Sequence, residues 1–314
     1  MNKRLFIIIT SIVVLVVIIA LMILNVFSKS TKKNIGCPGV GCSGCSGCGN
    51  QGKISSTYYI SKEDKLIKKL DENQKAFRKV LQLDYSDKEI DSIANETTLK
   101  FRELLPAIPY IGGDSNPMTE DLENPAMALA FYRVMKNHGK SVEEVGNIIC
   151  KATEDTISAY PKWLLRLNGR KFFSKEYIQQ LRENAEESQK REYSGAWVSE
   201  FVEGNGDKFD YGYNHSECGI VKYFHEQNAD ELIPYMCKLD FIYSDALDEG
   251  LVRTNTIAEQ GSYCDFRYKR AVNDKLDFLI VFVPLVVGGS ILLISFYVIR
   301  RKVIKKRRPK GLST

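Results

Sequence analysis

The sequence predicts an α+β fold: a helical N-terminal part followed by a small antiparallel sheet of two hairpins with intervening helices, bracketed by two transmembrane helices. Three observations lead there. Apolar residues recur at helical spacing from Ser61 to about Tyr193, and single-residue alternation takes over from Ala196. Uncharged apolar runs stand near both ends of the chain. The expected organisation is a short tail (1–4), a span (5–27), a Cys/Gly-rich linker (28–53), a soluble domain (54–276), a second span (278–299) and a basic tail (300–314).

Within the helical part, Leu66, Ile67, Leu70, Phe77, Val80 and Leu81 share one face of a helix over Ser61–Leu83, with lysines and acids between them. Ser86 to Leu105 forms a second helix. Pro106, Pro109, Gly112, Gly113 and Pro117 then mark a long loop. Pro125 opens the next helix and Gly139 closes it. Ser141 and Glu144 form a capping box for a helix whose apolar face is Val142, Val145, Ile148, Ile149 and Ala152. Ser174 starts a more polar helix to about Tyr193.

Ala196–Glu203 reads as a strand, Gly204 to Asp207 as a turn, and Phe209, Tyr211 and Tyr213 alternate as a returning strand. Helices follow over Ser216 to about Gln227 and Asp230–Leu247. A second hairpin pairs Leu251–Thr256 with Ser262–Lys269, placing Cys264, Phe266 and Tyr268 on one face and Asp265 and Arg267 on the other.

The apolar runs Leu5–Phe27 and Phe278–Ile299 are each long enough for a bilayer helix. The first exceeds the apolar core of a signal peptide and ends without a good cleavage site. The second is followed by eight basic residues between Arg300 and Lys310, a stop-transfer pattern. The expectation is a two-pass cell-membrane protein with both termini cytoplasmic, the domain extracytoplasmic and the lipid bilayer as a partner. Six further basic residues and no acid lie in 1–53, so with a total of +5 residues 54–299 carry −9. An acidic domain argues against nucleic acid as a partner, and so against reading the helix pair around Gly139 as a helix-turn-helix.

Cys37, Cys42, Cys45 and Cys48 are spaced C-x4-C-x2-C-x2-C among glycines and serines. Thiolates so spaced suit zinc or an iron–sulfur cluster, and disulfides or free thiols are the competing readings. His215-x2-Cys218 and Cys237-x2-Asp240 form a second pair of potential zinc ligands, although a lone cysteine is more often a small buried hydrophobe. Phosphate-loop, nucleophile-elbow and H-E-x-x-H motifs are absent from the sequence.

The stretches Glu217-Cys218-Gly219, Cys237-Lys238-Leu239-Asp240, Arg253 through Gly261, and Cys264-Asp265-Phe266-Arg267-Tyr268 together resemble the L-2-amino-thiazoline-4-carboxylic acid hydrolase family. The similarity is strongest over about 195–269 and extends back to about residue 90. The resemblance implies hydrolysis of a cyclic carbon–nitrogen, non-peptide bond in a small-molecule substrate. Such chemistry requires a nucleophile or activated water, a proton donor and a cation for the substrate carboxylate. Under it, Cys218 or Cys264 serves as nucleophile or metal ligand, Glu217 or Asp240 as general acid/base, and Arg267 or Arg253 as carboxylate clamp. The reading from a different class is a non-enzymatic metal- or redox-binding module built on Cys37–Cys48.

Overall fold

The structure, a computed structural model, describes residues 57–270 and the isolated positions 288, 289 and 295. Helix α1 (Glu63–Leu81) and helix α2 (Asp87–Leu104) lie where the apolar periodicity places them. Ser86 caps α2 with a full capping box, its hydroxyl facing the Glu89 amide and the Glu89 carboxylate accepting from the Ser86 amide. Helix α3 (Glu120–Asn137) starts earlier than the Pro125 signal suggests, leaving that proline inside the helix. Glu120, Asp121 and Glu123 in its first turn complement the positive helix terminus and favour the earlier start. Pro125 has no amide hydrogen to offer the Asp121 carbonyl one turn back.

Helix α4 (Val142–Ser158) carries the expected Ser141–Glu144 capping box. Helix α5 (Lys162–Gly169) is a short element absent from the sequence reading. Helix α6 (Lys175–Ser188) begins at Ser174, whose hydroxyl accepts from the Tyr177 amide. The core centres on α3, which buries Leu122, Ala126, Met127, Leu129, Phe131 and Met135. Phe77 of α1 stacks on Phe131 with ring centroids 4.4 Å apart.

The sheet has strands β1 (Val198–Glu203), β2 (Tyr211–Glu217), β3 (Leu251–Val252) and β4 (Cys264–Tyr268) in the order β1-β2-β4-β3, every pair antiparallel. The two hairpins therefore join in one sheet, as expected, through the β2–β4 pairing. Helix α7 (Gly219–Glu226) follows β2, which runs further into the expected helix, and helix α8 (Ile233–Leu247) follows a single 3-10 turn at Asp230–Leu232. Paired register places Tyr211, Tyr213 and His215 of β2 beside Tyr268, Phe266 and Cys264 of β4 on one face. Gly212, Asn214, Asp265 and Arg267 occupy the other face.

Gly169 closes α5 against the end of α8, where a Cβ on it would stand 1.9 Å from the Leu247 carbonyl oxygen. Because backbone, and not a mobile side chain, fills that space, Gly169→Ala is expected to destabilise the fold by about 2 kcal/mol. Urea unfolding measures it, and an unchanged midpoint would refute the close packing of α5 on α8.

The membrane and metal expectations require correction. Among the described residues no helix is long and apolar enough to cross a membrane, which overturns the two-pass, cell-membrane assignment and with it the bilayer partner. The segments on which it rested, 5–27 and 278–299, lie outside the described residues apart from the isolated positions. No group of three or more His, Cys, Asp or Glu side chains among the described residues is placed to hold a metal ion, so the metal-binding assignment is corrected too. That includes His215, Cys218, Cys237 and Asp240. The cluster Cys37, Cys42, Cys45 and Cys48 lies outside the described residues.

Candidate active site

The face of the sheet bearing Tyr211, Tyr213, His215, Cys264, Phe266 and Tyr268 forms a floor rich in aromatic rings and hydroxyls. Tyr213 stacks on Phe266 at 4.9 Å and Tyr211 on Tyr268 at 5.1 Å, and the Tyr213 and Tyr268 hydroxyls lie 3.1 Å apart. Helix α8 stands over this floor. Its Cys237, Asp240 and Phe241 reach toward Arg253, which follows β3.

Arg253 organises the centre. Its side chain is only 3% exposed. The guanidinium lies between the rings of Phe241 and Phe266, 4.9 and 4.8 Å from their centroids. One terminal nitrogen pairs with Asp240 Oδ2, and the other donates to the Cys237 carbonyl at 2.7 Å. Its Nε is buried without a hydrogen-bond partner. A guanidinium so enclosed fixes Asp240 and offers little surface to an incoming carboxylate.

Asp240 is different. Its side chain remains 43% exposed, yet burial by its surroundings outweighs the pull of Arg253 and raises its pKa above the ordinary aspartate range. Asp240 thus stands at the solvent edge of an otherwise buried cluster. Tyr213 and Tyr268 both feel the Asp240 charge, and burial holds both hydroxyls protonated well above the ordinary tyrosine range. At the rim, Asp121 is pushed up to about 6 by desolvation and then by Asp240, although the residue itself is largely exposed.

Cys218, Cys237 and Cys264 belong to the same neighbourhood, each sensing the charge of Asp240. Burial pushes the thiols of Cys218 and Cys237 up to about 11 and about 12, and raises that of Cys264. All three are therefore neutral thiols near pH 7. Cys218 sits at the N-cap of α7, where its sulfur makes no full cap hydrogen bond, yet the Val221 and Ile220 amides still favour its thiolate. Cys264 Sγ accepts from the Ile257 amide at 3.3 Å. His215 is buried and held neutral, its pKa lowered to about 3 by desolvation and then by Arg253, while Ser199 Oγ lies 2.7 Å from its Nδ1.

Of the six residues given roles from the sequence, the fold gathers Cys218, Asp240, Arg253 and Cys264 and separates Glu217 and Arg267. Glu217 is held by Arg191 and Lys222. Arg267 lies on the opposite face of the sheet, donating to the Phe266 carbonyl at 2.8 Å and to Asn214 Oδ1 at 2.8 Å. Gly212 makes room for it, since a Cβ there would stand 2.8 Å from Arg267 Cδ. An open groove of roughly 800 Å³ beside β1 and α6 contains none of the six. Its charged pair Arg182–Glu203 is exposed and mutually satisfied, so the perturbed groups beneath α8 mark the stronger candidate.

Comparison with known families gives one match. Residues 120–268 match the family model for L-2-amino-thiazoline-4-carboxylic acid hydrolase. Over these residues, just under half of the chain, the protein is similar to that family. The match opens at α3 and ends in β4, so it spans the aromatic face of β2 and β4, α8 and Arg253. No curated protein and no solved structure matches the chain significantly. That similarity supports a hydrolase-like function for this part of the chain.

Tyr213, Tyr268 and Glu249 were not singled out from the sequence. The Tyr211–Tyr213 alternation signalled a strand, but only the β2–β4 register shows the hydroxyls of Tyr213 and Tyr268 meeting.

Proposed function

We propose that the recess beneath α8 hydrolyses a small cyclic substrate at an isothiourea-like C=N carbon, opening the ring. The observation that carries the reading is a partly exposed carboxylate, Asp240, fixed by Arg253 inside the matched family region. Asp240 takes a proton from a water molecule as the water oxygen bonds to the ring carbon. The resulting tetrahedral carbon collapses by breaking one ring bond, and the departing heteroatom receives the proton held by Asp240. The product exceeds the substrate by the atoms of one water.

Tyr213 and Tyr268 remain protonated and supply hydrogen-bond donors to the reacting centre. Neutral thiols at Cys218 and Cys264 fit a role in lining the recess better than one as resting nucleophiles. The test incubates the full-length protein with L-2-amino-thiazoline-4-carboxylate and with 2-amino-2-thiazoline. Mass spectrometry is expected to show gain of one water in at least one of them, catalysed and saturable. Uncatalysed rates for both compounds would overturn the reading.

A further inference from the structure

Glu249 lies in the turn after α8, between Asp248 and Gly250, both of which have left-handed backbone (φ 64° and 59°). Its own backbone is fully engaged: the amide donates to the Ser244 carbonyl at 2.9 Å, and its carbonyl accepts from Lys269 at 3.1 Å. A Cβ at Gly250 would stand 2.3 Å from the Lys269 carbonyl oxygen, so the turn is pinned against the strand end. The residue is only 8% exposed. Among the described residues its carboxylate has neither an ion-pair nor a hydrogen-bond partner. Its oxygens are not sealed from solvent, but so poorly hydrated an acid is costly unless something pairs with it.

The groups facing this carboxylate are Tyr177 at the start of α6, Tyr211 of β2 and Tyr268 of β4, all of which sense its charge. Tyr268 also senses Asp240. Both carboxylates thus act on Tyr268, whose half-buried ring is the member of the Tyr211–Tyr268 stack that a planar cation can reach, Tyr211 being 2% exposed. An anion would meet repulsion from both sides.

We propose that Glu249 is the specificity-determining carboxylate for a planar N–C–N cation of the substrate, the protonated form of a cyclic isothiourea, guanidine or amidine. The assignment rests on the hydrolase reading for its location beside Asp240, and it goes further by naming the charge of the substrate. A cyclic isothiourea protonated on nitrogen is also the more electrophilic form at the carbon that water attacks.

The experiment is calorimetric binding by the full-length protein near neutral pH, comparing 2-amino-2-thiazoline, a cation, with thiazolidin-2-one, its neutral ring analogue. Wild type is expected to bind the cation at least about tenfold more tightly, as a charge-assisted pair in a water-poor site should. Glu249→Gln should reduce that preference to within about twofold, and Glu249→Asp, which keeps the charge, should retain most of it. Equal affinities in wild type, or an undiminished preference in Glu249→Gln, would overturn the proposal. Binding is read without turnover, so a Glu249-dependent preference with no hydrolysis would sink the hydrolase reading alone. Turnover with a preference indifferent to Glu249 would sink this one alone.

Discussion

Glu249→Gln is expected to stabilise the folded domain by about 2–3 kcal/mol at about pH 8 and to leave it nearly unchanged at about pH 4. Desolvation raises the Glu249 pKa from 4.5 to about 7. A carboxyl whose folded pKa is raised binds its proton more tightly in the folded state. The stabilisation this provides is complete below the unfolded value and is lost as pH rises through the folded value. Across the window from 4.5 to about 7, each unit is worth about 1.4 kcal/mol, which sets the size of the effect, less a contribution for burying the unpartnered amide. Urea unfolding of wild type and variant at several pH values measures it. A variant less stable than wild type at about pH 8 would show that Glu249 has a partner in the folded protein, and a gain independent of pH would show that its ionisation is not the cause. A stabilising substitution that also removes cation preference would mark a site where stability has been given up for function.

Most of the fold was legible from local chemistry. The capping boxes at Ser86 and Ser141 and the N-cap at Ser174 each satisfy specific amides, so three helix starts follow from three-residue patterns. The 3.6 and 2.0 periodicities separated α1, α2 and α4 from β1 and β2 because each of these buries one face, whereas α3 is buried on nearly every side. Where the reading failed, competing local signals were at work. Pro125 resembled a helix start, but the acidic turn preceding it determines where α3 begins. Lys162–Gly169 lacked a capping side chain, with Pro161 at its N-cap, and the helix is secured instead by Gly169 against Leu247.

The site was legible in outline only. The alternation on β4 already placed Cys264 and Arg267 on opposite faces, and the strand is regular enough to keep them there. Nothing in the residue order indicated that Arg253 would lie between Phe241 and Phe266, because that contact joins the β3 end, α8 and β4 through tertiary packing. Glu249 was equally hidden. In sequence it is one acid beside Asp248 in a polar turn, and its burial arises from the two left-handed residues around it and the pairing to Lys269.

Asp240→Asn is expected to lower kcat by about 10²- to 10⁴-fold with KM little changed, the usual scale for removing a positioned base. Asparagine preserves the size of the side chain and can still accept from Arg253, so its effect on stability should be small beside its effect on rate. The pH profile separates this role from a structural one. Asp240 must be ionised to take a proton, so activity falls as pH drops through its raised pKa, above the range of an ordinary aspartate. Glu249 titrates near 7 in the same recess and would overlay that limb, so the profile is measured in the Glu249→Gln background. There the Asp240 limb should persist at reduced overall rate. Arg253→Met supplies the decisive contrast, because it removes the cation that favours ionised Asp240 while keeping an apolar body between Phe241 and Phe266. The acid limb is then expected to move to higher pH, with rate recovering at alkaline pH to the extent that Asp240 keeps its position. A limb unmoved by Arg253→Met, or a full rate in Asp240→Asn, would remove Asp240 from the reaction.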